Sequence, residues 1–178
     1  SKKEFVDVIL EGLRWLGLNW DEEIVYQSTR LHTYKPFAEK LVEMGKAYRC
    51  FCSAETLQRK RETAQAAKQD YHYERTCRDL SATQITQNLA DGKPFVIRLR
   101  LPTNGTASFD DVVLGKMEKD YRDLDDFIIL KTDGNAIYNF AVVMDDHEMG
   151  ITHVIRGNDH ITNTFLQKEI YSAFGWQL

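Results

Sequence analysis

An α/β fold with an inserted α+β unit is what this 178-residue sequence predicts. Three observations predict it. Ile151 to Ile155 is apolar and β-branched at three of five positions, stops at Arg156 and Gly157, and leads through a polar turn into a helical stretch closed by Gly175: strand, turn, helix. Phe95, Ile97, Leu99 and Leu101 alternate with Arg98 and Arg100, the period of a strand with two unlike faces. Two apolar stripes at helical spacing come first, each ended by a glycine.

Taken in order, Phe5, Ile9, Leu13 and Leu16 form the packing face of a first helix that Gly17 stops. Tyr34, Phe37, Ala38, Leu41 and Met44 mark a second helix, ending at Gly45, which Ser28 or Thr29 can begin. Ser53 opens a third, polar helix through about Lys68; its Arg59, Lys60, Arg61 and Lys68 are either a solvated face or candidate phosphate contacts. Ser81 and Gln84 make a capping box for a short helix ending at Gly92. Pro94 then leads into the alternating strand. Pro102, Asn104 and Gly105 turn the chain into an irregular strand from about Phe109 to Leu114. Phe127 to Leu130 is a further strand, and Asp133-Gly134 is a tight turn after it. Ile137 to Met144 fits a hairpin strand or a buried helix equally well. After the strand at Ile151 to Ile155, Thr162 or Asn163 can cap the last helix, which runs to about Phe174.

Composition bounds the function. With 43% hydrophobic and 28% charged residues the chain can bury the core of one domain, or of one domain plus an insertion. No apolar run reaches the roughly 20 residues of a membrane span and no signal-peptide pattern is present, so a soluble, cytoplasmic protein is expected. The formal charge of −4 argues against coating of nucleic acid by a generally basic surface, yet allows a local basic face. Ser1 stands where an initiator Met would be, and the chain begins within a helical pattern, as a fragment would.

Two constellations carry chemistry. Cys50 and Cys52 form a C-x-C pair, and Cys77 follows 25 residues later. Three cysteines do not pair evenly, which favours reduced thiols or a metal over a disulfide frame. Three thiolates leave one ligand position of a tetrahedral Zn²⁺ open, with His72, Tyr73, Asp79 and His32 as chemically suitable fourth ligands; spacing and ligand chemistry favour His72. The plain alternative is three small core thiols. The second constellation is YNFAVVMDDHEMGITHVIRGNDHITNT, from Tyr138 to Thr164. It places an arginine and a glycine at a strand end, where an arginine can grip a carboxylate or phosphate in fork geometry and ligands bind in open α/β sheets. Asp145 and Asp146 read first as structural.

The strings YNFAVVMDD, ITHVIRGNDH and NT, with LEGLRWLGLNWDE near the start and YSAFGW at the finish, closely resemble the second half of the catalytic domain of bacterial glutamyl-tRNA synthetases. These are class I enzymes with a nucleotide-binding Rossmann core. The resemblance implies a partial core with an inserted α+β zinc-containing acceptor-binding domain: residues 1–25 and 138–178 in the core, 26–137 in the insertion, and a helix beginning near Tyr138.

The resemblance implies that Tyr138 and Arg156 line the glutamate pocket and that Asp159 and His160 lie near ATP or the terminal adenosine. No residue is assigned as catalytic. An asparagine that some relatives carry four residues after the tyrosine is Val142 here, so that contact is absent or replaced. It also points to Tyr73, four residues before Cys77, as the fourth ligand beside Cys50, Cys52 and Cys77. The implied partners are glutamate, ATP with Mg²⁺, and tRNA(Glu). No HIGH-type or KMSKS-type string is present, so this stretch alone is expected to be inactive. A glutamyl-queuosine tRNA(Asp) synthetase shares the core, and a noncatalytic zinc-containing RNA-binding module is the reading from another class.

Overall fold

The computed structural model describes residues 3–177. Helix α1 spans Lys3–Trp15, and Gly17 takes the left-handed backbone that ends it. Its apolar stripe differs from the expected packing face: Phe5 and Ile9 are exposed. Helix α2, Leu31–Glu43, follows a short 3-10 turn at Gln27–Thr29. Neither Ser28 nor Thr29 caps it; Arg30 holds that position without a side-chain cap, and the Thr29 hydroxyl bonds back to Tyr26.

Strand β1, Ala47–Cys50, leads to α3, Ala54–Ala66, capped by the Ser53 hydroxyl, which accepts from the Thr56 amide. Helix α4, Ala82–Ala90, carries the complete Ser81–Gln84 capping box. Strand β2, Val96–Leu99, pairs antiparallel with β1, Ala47 opposite Leu99 and Cys50 opposite Val96. On its other side it pairs with β5, Ile128–Leu130, with a register irregularity at Ile97/Arg98.

Between them, β3, Thr106–Asp111, and β4, Gly115–Asp120, form a separate hairpin. This corrects the single irregular strand expected over Phe109 to Leu114. Asp111 accepts from the amides of Val113 and Leu114 and turns the chain there, leaving Val112 to Leu114 as an exposed tip.

Helices α5, Tyr138–Glu148, and α6, Ile161–Phe174, complete the body. The ambiguous run at Ile137 to Met144 is thus helical. The core joins α2 (Tyr34, Ala38, Leu41), the inner face of β2 (Ile97, Leu99) with Leu101, Ile129 of β5, and α5 and α6 (Phe140, Val143, Met144, Phe165, Ile170). The opposite face of β2 is covered as well. Arg98 is buried there, over the ring of Tyr73, and a second small core forms from Tyr48, Cys50, Leu57, Tyr73 and Cys77.

One expected strand is absent. Ile151 to Ile155 has no ladder partner among the described residues, and Ile155 is fully exposed. A β-branched run becomes a strand only where backbone partners accompany it, and the paired strands here are all antiparallel ones between Ala47 and Leu130.

Candidate functional site

The cysteine cluster is assembled by two chain reversals. β1 ends at Cys50 and places Cys52 just beyond the sheet edge, α3 runs out, and the return segment brings Tyr73 and Cys77 against it. The three sulfurs lie within 4.8 Å of one another. Cys52 Sγ is 3.6 Å from Cys77 Sγ, and the Tyr73 hydroxyl lies 3.1 Å from Cys50 Sγ and 3.7 Å from Cys52 Sγ. A tetrahedral zinc with bonds of about 2.3 Å to sulfur holds its sulfurs roughly 3.8 Å apart, so the donor set has the right chemistry and spacing.

His72 turns away. Its side chain is 52% exposed and its Nδ1 lies 3.3 Å from Asp125, whose carboxylate also accepts from the Tyr73 amide. The adjacent Cys77 thiol holds Cys50 down at about 4, while its own thiol is pushed up by Cys50 and by burial. Burial, then the Cys50 contact, raises the Tyr73 phenol.

A buried carboxylate locks this cluster to the sheet. Asp126 accepts from Arg78, the Tyr48 hydroxyl and the Leu101 amide, while Arg98 donates to its carbonyl. Sequence reasoning missed Asp126 because an acid among Asp123, Asp125 and Asp126 gives no local sign of which one is buried.

On α3, three of the four candidate phosphate-binding cations already have partners. Lys60 pairs with Glu74 at 3.0 Å, Arg59 approaches Glu55 at 3.9 Å, and Arg61 lies over the Tyr71 ring. Lys68 sits just past the helix in a left-handed conformation.

The second constellation is built on α5 and α6. Arg156, in the extended segment before the 3-10 turn Asn158–His160, donates from Nη1 to Gln167 Oε1 at 2.8 Å and from Nη2 to the Thr164 hydroxyl. Gln167 Nε2 donates to Asn139 Oδ1 at 3.1 Å, and Asn139 donates to Asn163 Oδ1 at 3.4 Å. The chain from Arg156 therefore passes through the residue beside Tyr138, whose own side chain is exposed at the start of α5.

Asp159 and His160 are exposed, with His160 Nε2 3.6 Å from Asp159. The Asp159 carboxylate folds back over Gly157, its Oδ1 lying where a Cβ there would sit. Neither Thr162 nor Asn163 caps α6; His160 occupies that position, and the Asn163 side chain contacts the His160 ring instead.

Asp145 takes the structural part expected of it, accepting from Arg30 Nε and the Tyr34 hydroxyl, both at 2.8 Å. Burial, with Asp145 beside it, raises the Asp146 carboxyl, and Arg156 opposes that shift. Asn139 and Gln167 were missed in the sequence; the available signal was Gln167 lying three residues after Thr164 on one helix face.

Known proteins match this arrangement along its whole length. A family model described as tRNA synthetases class I (E and Q), catalytic domain, matches residues 1–178. The glutamate–tRNA ligase of Coprothermobacter proteolyticus is 47% identical over 178 residues, 99% of this chain and 38% of that protein. The glutamate–tRNA ligase of Geobacter sulfurreducens is 49% identical over 176 residues, 99% of this chain and 36% of that protein. The crystal structure of a glutamate tRNA ligase from Elizabethkingia meningosepticum in complex with its amino acid superposes with a TM-score of 0.90 at 31% identity, covering 100% of this chain and 38% of that one. The chain thus spans a little over a third of the length of the relatives it matches. Matched from end to end by the family model and sharing its fold with solved glutamate tRNA ligases, the chain belongs to the class I tRNA synthetases of the glutamyl and glutaminyl group, within their catalytic domain.

Proposed function

We propose that this chain works as part of a cytoplasmic glutamate–tRNA ligase, which activates glutamate with ATP as glutamyl-adenylate and passes the acyl group to the 3′ end of tRNA(Glu). The observation that carries this reading is the identity, 47% and 49% over 99% of this chain, to proteins of that name. It favours the ligase over the tRNA(Asp)-modifying relative and over a noncatalytic zinc module.

In this reading Arg156 pairs with a substrate carboxylate, and the Tyr138 hydroxyl hydrogen-bonds beside it. Asp159 and His160 face ATP, with its Mg²⁺, or the terminal adenosine. The chemistry then rests on holding the glutamate α-carboxylate in line with the α-phosphate and on stabilising the charge that develops, without a protein base. Residues 1–25 and 138–178 belong to the nucleotide-binding core and 26–137 to an acceptor-stem-binding insertion. Cys50, Cys52, Tyr73 and Cys77 would hold a structural Zn²⁺ that staples the insertion, a role supported by their spacing and by the thinness of the second core.

The test is ATP- and glutamate-dependent charging of separated tRNA species by the full-length polypeptide carrying this chain. Charging of tRNA(Glu) is expected. Glutamate activation without charging of tRNA(Glu) or tRNA(Gln) would instead favour the tRNA(Asp)-modifying relative, and no activation would leave the binding module.

A further inference from the structure

We infer that Gln167 is a positioning residue for Arg156, aiming its guanidinium while leaving its positive charge free for a substrate carboxylate. This rests on the reading of Arg156 as the carboxylate-binding residue and adds what holds it there.

Three observations carry the inference. Both acceptors that hold Arg156 are uncharged: the Gln167 amide oxygen and the Thr164 hydroxyl. Among the described residues no carboxylate oxygen pairs with this guanidinium, although Arg30, Arg78, Arg100 and Arg122 each have one. Gln167 is itself held, because its amide nitrogen donates to Asn139 Oδ1 and both residues are more than nine-tenths buried.

The chemistry explains why neutrality matters. An arginine has five N–H donors in a planar fork. Two are used on α6, which fixes the plane of the fork, and the rest are left for a ligand. A carboxylate in place of the Gln167 amide would orient the guanidinium equally well, yet it would form a charge-assisted pair and compete with the substrate. Burying a glutamine and an asparagine inside a two-helix contact costs more than an apolar pair unless their hydrogen bonds are used. Here those bonds lead to Arg156, whose guanidinium pairs directly with no carboxylate among the described residues, Asp146 feeling its charge only through space.

The experiment measures glutamate-dependent ATP–pyrophosphate exchange by the full-length polypeptide, comparing the parent with Gln167→Glu, Thr164→Val and Arg156→Ala. Gln167→Glu keeps an acceptor for Arg156, and Asn139 can turn its amide to donate, so a purely structural part would be preserved or strengthened.

The expected result is a rise of roughly 10- to 100-fold in the KM for glutamate, the size of a lost hydrogen bond to a charged group. The KM for ATP should stay within about twofold and the thermal midpoint should not fall. Thr164→Val should raise the glutamate KM less, in the same direction, and serves if Gln167→Glu does not fold. An unchanged glutamate KM in these variants, with Arg156→Ala raising it, would overturn the inference alone. An unchanged KM in Arg156→Ala would overturn the reading beneath it.

Discussion

Arg78 holds the buried carboxylate of Asp126 from one nitrogen: Nη1 lies 3.0 Å from Oδ1 and 2.9 Å from Oδ2. The other amino group of Arg78 reaches the Leu101 carbonyl at 2.8 Å, past the end of β2. Arg78 directly follows Cys77, and Asp126 lies just before β5. The pair therefore ties the return segment of the cysteine cluster to the three-stranded sheet. Arg75 adds charge at 3.4 Å without the alignment of a hydrogen bond.

Removing the acid should be severe. Asp126→Ala leaves Arg78 without its carboxylate and deprives the Tyr48 hydroxyl and the Leu101 amide of their acceptor. Breaking a buried ion pair from one side costs about 3–5 kcal/mol. Urea denaturation should show a loss of that order, and a loss below about 1 kcal/mol would mean that the pair is solvated and secondary.

Metal content tests the cysteine cluster. Protein expressed in metal-replete medium should retain about one zinc per chain, and Cys50→Ser or Cys77→Ser should remove most of it. Tyr73→Phe should weaken retention against a chelator, whereas His72→Ala should not, because His72 points to Asp125. Loss of zinc in His72→Ala with retention in Tyr73→Phe would reverse the assignment of the fourth ligand.

What the sequence made legible follows from how far each signal reaches. The Ser81–Gln84 capping box was readable because donors and acceptors lie within four residues. The glycine stops at Gly17, Gly45 and Gly175 were readable because each takes a left-handed backbone, which glycine accepts most easily. Val112, Val113 and Leu114 read as strand because their residue types suit one; Asp111, by accepting from the Val113 and Leu114 amides, turns the run into a hairpin tip. Ile151 to Ile155 failed as a strand for want of a ladder partner, which no local pattern reports. Arg98 alternates like a solvent-facing residue and is buried because the cysteine cluster folds over it. At the second site, Arg156 was found by its place in a motif, but the Gln167–Asn139 support depends on how α5 meets α6.

Arg156 should matter to glutamate more than to ATP. Arg156→Ala in the full-length polypeptide is expected to raise the glutamate KM and slow activation, with a loss in kcat/KM of about 1.5–3 kcal/mol if one charge-assisted contact is removed. Near-parental ATP–pyrophosphate exchange at low glutamate would defeat the assignment.

Stability at alkaline pH should report on Tyr34. Its hydroxyl is buried beneath α5 and donates to Asp145 at 2.8 Å; burial first, then that hydrogen bond and the Asp145 charge, push its pKa from 10.0 to about 12. Between those values the unfolded chain has released the phenolic proton while the folded protein keeps it, so the unfolded state binds fewer protons and stability falls as pH rises. The contribution is complete below pH 10 and is lost as pH climbs to about 12. Tyr121, which donates to Glu169 at 3.0 Å and is likewise raised to about 12, loses its share over the same window. Tyr34→Phe should therefore cost about 1.5–3 kcal/mol near pH 8, where a hydrogen bond to a charged acceptor is lost. It should also flatten the decline between pH 10 and 12 without abolishing it, since Tyr121 still titrates. Urea midpoints at intervals from pH 8 to 11.5 would check both, and an alkaline slope identical to the parent's would show that Tyr34 ionises no later in the folded protein than in the unfolded chain.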